Sequence, residues 1–169
     1  NDVTTHYKSG YLLQRRLLPH AAIRTICGPR LATVRILTIN PKAGPEILRA
    51  CWKIPAGANA ADNFWRAGNL LGTVDIATGR IERVVSGAGL RQQVFEAHPD
   101  SGAGMVGFEL PMWAEAKALA LAGARVFKAM GIIGWDIAIT DNGPVIVEPN
   151  ECPDHGLPQI ADRRGMLDD

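Results

Sequence analysis

The sequence predicts an α+β fold: a mostly antiparallel sheet with one long packed helix. Three observations carry this. Short apolar segments rich in β-branched residues recur along the chain, separated by tight-turn residues, which is the pattern of hairpins rather than crossovers. One stretch, residues 112–130, is dense in Ala and Leu and long enough for a stable helix. No internal repeat or low-complexity tract interrupts the pattern, and such a mixture reads as α+β.

In chain order, residues 11–16 are expected to form a strand, ended by a turn at Pro19, and residues 19–26 have room for one or two helical turns. Residues 32–39 (ATVRILTI) read as a strand stopped by Asn40-Pro41. Residues 46–53 follow the turn Lys42-Ala43-Gly44-Pro45, so the two strands make a hairpin. Residues 55–69, dense in Gly, Ala and Asn, read as a long loop. Residues 71–76 and 81–86 flank Ala77-Thr78-Gly79-Arg80 and form a second hairpin. Residues 87–111 are mostly turn formers, and a loop that long inside a domain is usually functional or poorly ordered. The helix at 112–130 lies between Pro111 and Gly131. Apolar side chains surround much of its cylinder, so it is expected to be well buried. Residues 132–140 and 144–148 are strands joined by Asp141-Asn142-Gly143. The tail from Glu151 reads as loop with a short final helix. The count is about seven strands and one long helix.

At 169 residues the chain is expected to be a single domain spanning 1–169. Charged residues are 21% and the net charge is +1, which argues against a disordered chain and against a nucleic-acid partner. Hydrophobic residues, at 47%, suffice for a sizeable core. No apolar run approaches the roughly 20 residues of a membrane span. Cys27, Cys51 and Cys152 are far apart and odd in number, so a reducing compartment is expected. The chain starts at Asn1 without a charged-then-apolar leader, and the expected location is cytoplasmic.

The densest chemistry lies in Gly134-Trp135-Asp136-Ile137-Ala138-Ile139 and Val145-Ile146-Val147-Glu148-Pro149-Asn150. A hairpin centred on the Asp141-Asn142-Gly143 turn sets Asp136 beside Glu148. Strand alternation puts Glu148 and Asn150 on one face. Asp136, Glu148 and Asn150 then form an all-oxygen set. Such a set suits Mg²⁺, which keeps several waters and shares its shell with substrate phosphates. Taken singly, a Glu at a strand end is usually solvated. As a set the residues are harder to dismiss: Asp136 interrupts an apolar run, and a carboxylate directly after a buried strand needs a partner. Weaker signals carry less. Cys152-x-x-His155 has zinc-like spacing without the other half of a site. His98 beside Pro99 suits a turn as well as a ligand contact, and His6 and His20 read as exposed. No Ser or Cys has a nucleophile-elbow context.

Further stretches join this set: Leu12-Leu13-Gln14-Arg15-Arg16-Leu17, Thr33-Val34-Arg35-Ile36, Asp62-Asn63-Phe64-Trp65-Arg66-Ala67-Gly68-Asn69, His98-Pro99-Asp100-Ser101-Gly102 and Leu110-Pro111-Met112-Trp113. With the strand Asp and the Glu-x-Asn, they resemble the C-terminal, metal-binding lobe of ATP-grasp enzymes over nearly the whole chain. The likeness is greatest to the sugar-transfer-associated ATP-grasp proteins related to α-L-glutamate ligases. The resemblance implies that Gln14, Arg15, Arg16 and Leu17 belong to a hinge strand lying along adenine. It implies that Arg35 faces the phosphates, where a guanidinium can fork onto oxygens. It places Asp62, Asn63 and Arg66 in the family's DNF…GG loop, with Asn63 toward the nucleotide and Arg66 beside Arg35 as a catalytic cation. Ala67 departs from that pattern, standing where the family often has the first of two glycines. Without the resemblance, Gln14 to Leu17 read as an ordinary edge strand, Arg35 as half of a structural ion pair, and the loop as plain surface.

The implied activity is an ATP- and Mg²⁺-dependent carboxylate–amine ligase acting through an acyl phosphate, with nucleotide and small-molecule carboxylate and amine substrates. The likeness begins in the middle of the family's fold. The N-terminal lobe, which carries a phosphate-binding lysine and a glycine-rich loop, is expected to lie outside this sequence. Two rivals follow. One is a non-catalytic or truncated nucleotide-binding module, a homo-oligomer covering the face the other lobe would cover. The other is a metal-dependent hydrolase, which lacks a well-placed His.

Overall fold

The computed structural model describes residues 14–166. The chain forms α1 (Ala21–Cys27), β1 (Thr33–Ile39), β2 (Glu46–Ile54), β3 (Leu70–Val74), β4 (Ile81–Ser86), β5 (Gln93–Val94), α2 (Trp113–Val126), β6 (Ile132–Thr140), β7 (Gly143–Asn150) and α3 (Gly156–Asp162). The seven strands make one sheet in the order β5-β4-β3-β2-β1-β6-β7. Every neighbouring pair is antiparallel. The α+β class is therefore as the sequence predicts, and the hairpins β1–β2, β3–β4 and β6–β7 are all present. The strand β6, arriving after α2, adds to the free side of β1 and brings Asp136 opposite Arg35.

Alternation along the strands divides the sheet into two faces. One face sends Val34, Ile36, Trp52, Trp135 and Ile137 into the main core, against α1 and α2. The other face is covered over β2–β4 by α3, where Leu157 and Ala161 meet Cys51, Leu71 and Val85. Over β1, β6 and β7 that second face carries no helix, and the polar side chains collect there.

Several details differ from the sequence reading. Residues 14–16 form no strand, and the rest of the expected hinge strand lies outside the described residues. The seventh strand is instead β5, within a stretch expected to be all loop. The helix α2 ends at Val126, before Gly131. Asn40 explains the early stop: its side-chain amide donates to the carbonyls of Ala124, Phe127 and Met130, satisfying helix-end acceptors that a longer helix would use internally. Nor is α2 buried all round. Ala116, Ala120 and Ala124 form a narrow stripe at i, i+4 spacing against the sheet, while Val126 is 77% exposed. Small residues on that stripe permit close approach: a Cβ on Gly123 would stand 2.7 Å from the Trp135 ring.

His98 proves to be a turn residue. Its Nε2 lies 3.0 Å from the Pro55 carbonyl oxygen, and its Nδ1 accepts from the Asp100 amide. Asp100 in turn accepts from Arg30 and from the Gly57 amide. This ties the start of the 55–69 loop to the body of the domain. The loop's far end is stapled by buried Asn69, whose amide donates to the carbonyls of Ala61 and Asn63 and whose oxygen accepts from the Ala56 amide. The result is a self-packed Ω-type loop. Among the described residues no helix is long and apolar enough to cross a membrane.

Candidate functional site

The register places one row of side chains across the open face: Glu148 on β7, Asp136 on β6, Arg35 on β1, Cys51 on β2 and Thr73 on β3. The Asp136–Glu148 pairing expected from the sequence is therefore real, but it arises differently. The turn is two residues, Asp141-Asn142, closed by Thr140 opposite Gly143. A plain hairpin from that turn would set Asp136 against Val147. An irregularity between Asp136 and Ile137 leaves Val147 as an extra residue and moves Glu148 into place. Bulges of this kind re-aim side chains beside functional sites. The strand β7 is the sheet edge and is half exposed, so Glu148 follows no buried strand. It is exposed, and it holds no hydrogen bond or ion pair with another described residue.

Asp136 is buried, and two cations saturate it. Arg35 grips it bidentately, Nε to Oδ1 and Nη2 to Oδ2 at 3.0 Å. Lys53 Nζ donates to Oδ2 at 2.9 Å. Lys53 also lies 3.6 Å from Asp62, and Asp62 Oδ2 accepts from both the amide and the hydroxyl of Thr33. Burial works against the charge on Asp136, but the bonds to Arg35 and the charge of Lys53 outweigh it and hold the carboxyl below its ordinary range. Burial likewise opposes the charge on Arg35, and Asp136 more than offsets it, keeping the guanidinium above its usual value. Arg35 is thus, in this structure, half of a structural ion pair at the floor of a cleft.

That cleft has a volume of about 450 Å³ and is lined by Arg35, Lys53, Asp62, Asn63, Asp136, Glu148 and Asn150, with Trp65 and Asp154 toward α3. A second, mainly apolar cleft of about 680 Å³ is lined by Gln14, Arg15, Arg16 and Leu17 together with Val145 and Ile146. The two share Leu31 and Val147 as common wall. The expected adenine segment and the expected phosphate and metal residues therefore adjoin. Asn63 lies at the cleft with its Oδ1 accepting from the Trp65 amide. Arg66 is exposed and does not line the cleft.

The donor set fits a hard cation in part. Glu148 and the Oδ1 of Asn150 are free to ligate, since Asn150 uses only its Nδ2, on the Gly134 carbonyl. Asp136 retains lone pairs but already serves three N–H donors. Among the described residues no three of His, Cys, Asp and Glu are grouped to hold a metal, so the Cys152-x-x-His155 spacing builds no such cluster. Cys27 and Cys51 are buried, and burial pushes both thiols up to about 12.

Three charged or aromatic cleft residues, Lys53, Trp65 and Asp154, escaped the sequence reading. Lys53 was legible in principle. It is a lone cation in the apolar run Ala50-Cys51-Trp52-Lys53-Ile54, two residues from Cys51 and hence on the Arg35 face. Trp65 stood inside a recognised loop motif, but nothing in the sequence showed its ring at the cleft.

Fold and site together define an α+β domain whose open sheet face carries a charged cleft beside an apolar one. The sequence model of the sugar-transfer associated ATP-grasp family matches residues 3–169. The chain belongs to that family. No curated protein and no solved structure matches it closely enough to count as a relative.

Proposed function

We propose that this chain binds ATP with Mg²⁺ and serves a carboxylate–amine ligase. ATP would phosphorylate a carboxylate, and an amine would then displace phosphate from the acyl phosphate to form the amide. The observation that carries the reading is the junction of the two clefts. An apolar space sized for a base opens, across Leu31 and Val147, onto a floor that offers Arg35 and Lys53. Gln14 to Leu17 would wall the base. Arg35 and Lys53 would offset charge on phosphate oxygens, and no side chain has to act as a covalent nucleophile. Asn63 has its amide N–H₂ available toward the nucleotide. Glu148 and Asn150, with a remaining lone pair of Asp136, would hold the Mg²⁺, whose contribution is to neutralise phosphate charge. Arg66 contributes only if the loop moves, so Lys53 replaces it as the second cation of this proposal. The family is associated with sugar transfer, and a sugar-bearing acceptor fits that association. The saturation of Asp136 by two cations favours a second reading, nucleotide binding without turnover.

The test is the melting temperature with Mg²⁺, with ADP, and with both. Ligand at a hundredfold excess over Kd stabilises by about 2.7 kcal/mol, which is a rise of about 5–10 °C. The rise should need both components and should be lost in Glu148→Gln, which removes an exposed carboxylate without disturbing the buried ion pairs. No rise in any condition refutes nucleotide binding. A rise without phosphate release in the presence of carboxylate and amine supports the second reading.

A further inference from the structure

We propose that Trp65 is the platform on which the acceptor lies, and that the acceptor offers it the face of a sugar ring. This rests on the nucleotide reading above and extends it to the acceptor. The chain has four tryptophans. Trp52, Trp113 and Trp135 are buried, whereas Trp65 is 59% exposed. Its ring is nonetheless fixed. Nε1 donates to Asp154 Oδ2 at 2.8 Å. Phe64, itself 4% exposed, meets the ring edge-on at 5.3 Å between centroids. The backbone amide is held by Asn63, on the loop stapled by Asn69. A large aromatic plane held rigid and left open to water binds a flat apolar partner at little entropic cost.

Position says which partner. Trp65 and Asp154 line the same charged cleft as Arg35, Lys53 and Glu148, and neither lines the apolar cleft. Trp65 therefore stands beside the phosphate floor and away from the base cleft, where an acceptor would meet the transferred group. Chemistry narrows it further. Asp154 Oδ1 accepts from the Gly156 amide and Oδ2 from Trp65, leaving each oxygen a lone pair for a hydroxyl. An aromatic face flanked by a carboxylate acceptor matches a pyranose, which presents axial C–H groups on one face and hydroxyl donors at its rim.

Ligand-observed saturation-transfer NMR with methyl glucoside, methyl galactoside and the methyl glycoside of N-acetylglucosamine tests this on the whole chain with Mg²⁺ and ADP present. At least one pyranoside should receive saturation on the C–H protons of one ring face. Trp65→Phe should keep most of that binding, and Trp65→Ala should weaken it about tenfold, as expected for a lost aromatic contact. The proposal is overturned if no pyranoside binds, if binding is equal in Trp65→Ala, or if ethanolamine binds and the sugars do not, which would mark a bare ammonium site. The Mg²⁺–ADP melting shift on the same preparations tests the nucleotide reading separately. Sugar binding without that shift keeps the platform and removes the nucleotide, while the shift without sugar binding does the reverse.

Discussion

Replacing Asp136 by Asn should cost far more than the loss of one metal-ligand candidate. Asp136 is 4% exposed, Arg35 7% and Lys53 8%. Asn keeps one acceptor oxygen for three N–H donors and turns an N–H₂ group toward a cation. Removing one partner of a buried ionic cluster costs about 3–5 kcal/mol, because the remaining charges stay desolvated and unpaired. Asp62, 3.6 Å from Lys53, relieves part of this, so about 3 kcal/mol is expected. For a domain of this size that is a fall of about 6–12 °C in melting temperature. Thermal and urea unfolding at pH 7, followed by circular dichroism, measure it. A companion variant sharpens the reasoning: Arg35→Met, Lys53→Met and Asp136→Leu together remove the three most buried charges, and leave Asp62 held by the amide and hydroxyl of Thr33. That triple variant should recover to within about 1 kcal/mol of the parent or exceed it. If Asp136→Asn melts within about 1 °C of the parent, the cluster is not holding the structure as argued. If the triple variant melts as low as the single one, packing rather than charge is responsible.

Two further outcomes follow from the same floor. A Cβ at Gly134 would lie 2.6 Å from Pro153 Cβ and 3.1 Å from Arg35 Cδ, so Gly134→Ala should lose about 1–3 kcal/mol in urea unfolding and shift the 151–155 turn or the Arg35 stem. The pH dependence has a definite sign. Asp136 is held below the usual carboxylate range in the folded state, so its stabilisation is fully present above the unfolded value of about 4 and is lost as pH falls through the folded one. Melting temperatures taken from pH 7 to pH 2.5 should fall below about pH 4, and the fall should be shallower in Asp136→Asn.

Much of the fold could be read because the chain obeys local rules. The three hairpins are announced by Pro, Gly, Asn and Asp between β-branched runs, and their pairing needs no long-range information. What could not be read is set by tertiary contact. The stop of α2 depends on Asn40, far away in sequence, and its burial depends on which stripe meets the sheet. The order of β6 beside β1, and with it the Arg35–Asp136 pair, is not encoded in either strand alone. At the site, the Asp136–Glu148 pairing came from a turn one residue too long and an unforeseen bulge, which cancel. The resemblance gives Arg35 and Asp136 separate roles, whereas the register makes them partners, in keeping with the plain reading of Arg35 as half of an ion pair. Lys53 belongs to no motif, and a lysine at a strand end normally projects into solvent.

The charges on this floor give a physical reason for expecting a cation to accompany the nucleotide. Arg35 and Lys53 face Asp136 and Asp62, which balance them, and Glu148 stands exposed at the end of the row. With Asp154 also on its wall, the cleft sets four carboxylates against two cations and is negative before anything enters. A bare polyphosphate meets two cations already engaged and a free carboxylate, so its approach is opposed. Glu148 would hold a divalent ion whose charge would offset that repulsion, and Arg35 and Lys53 would then be able to bond phosphate oxygens in competition with Asp136. On this account the carboxylate that keeps the two cations aimed at the cleft when it is empty also sets the condition for filling it. ADP alone should leave the melting temperature unchanged where ADP with Mg²⁺ raises it.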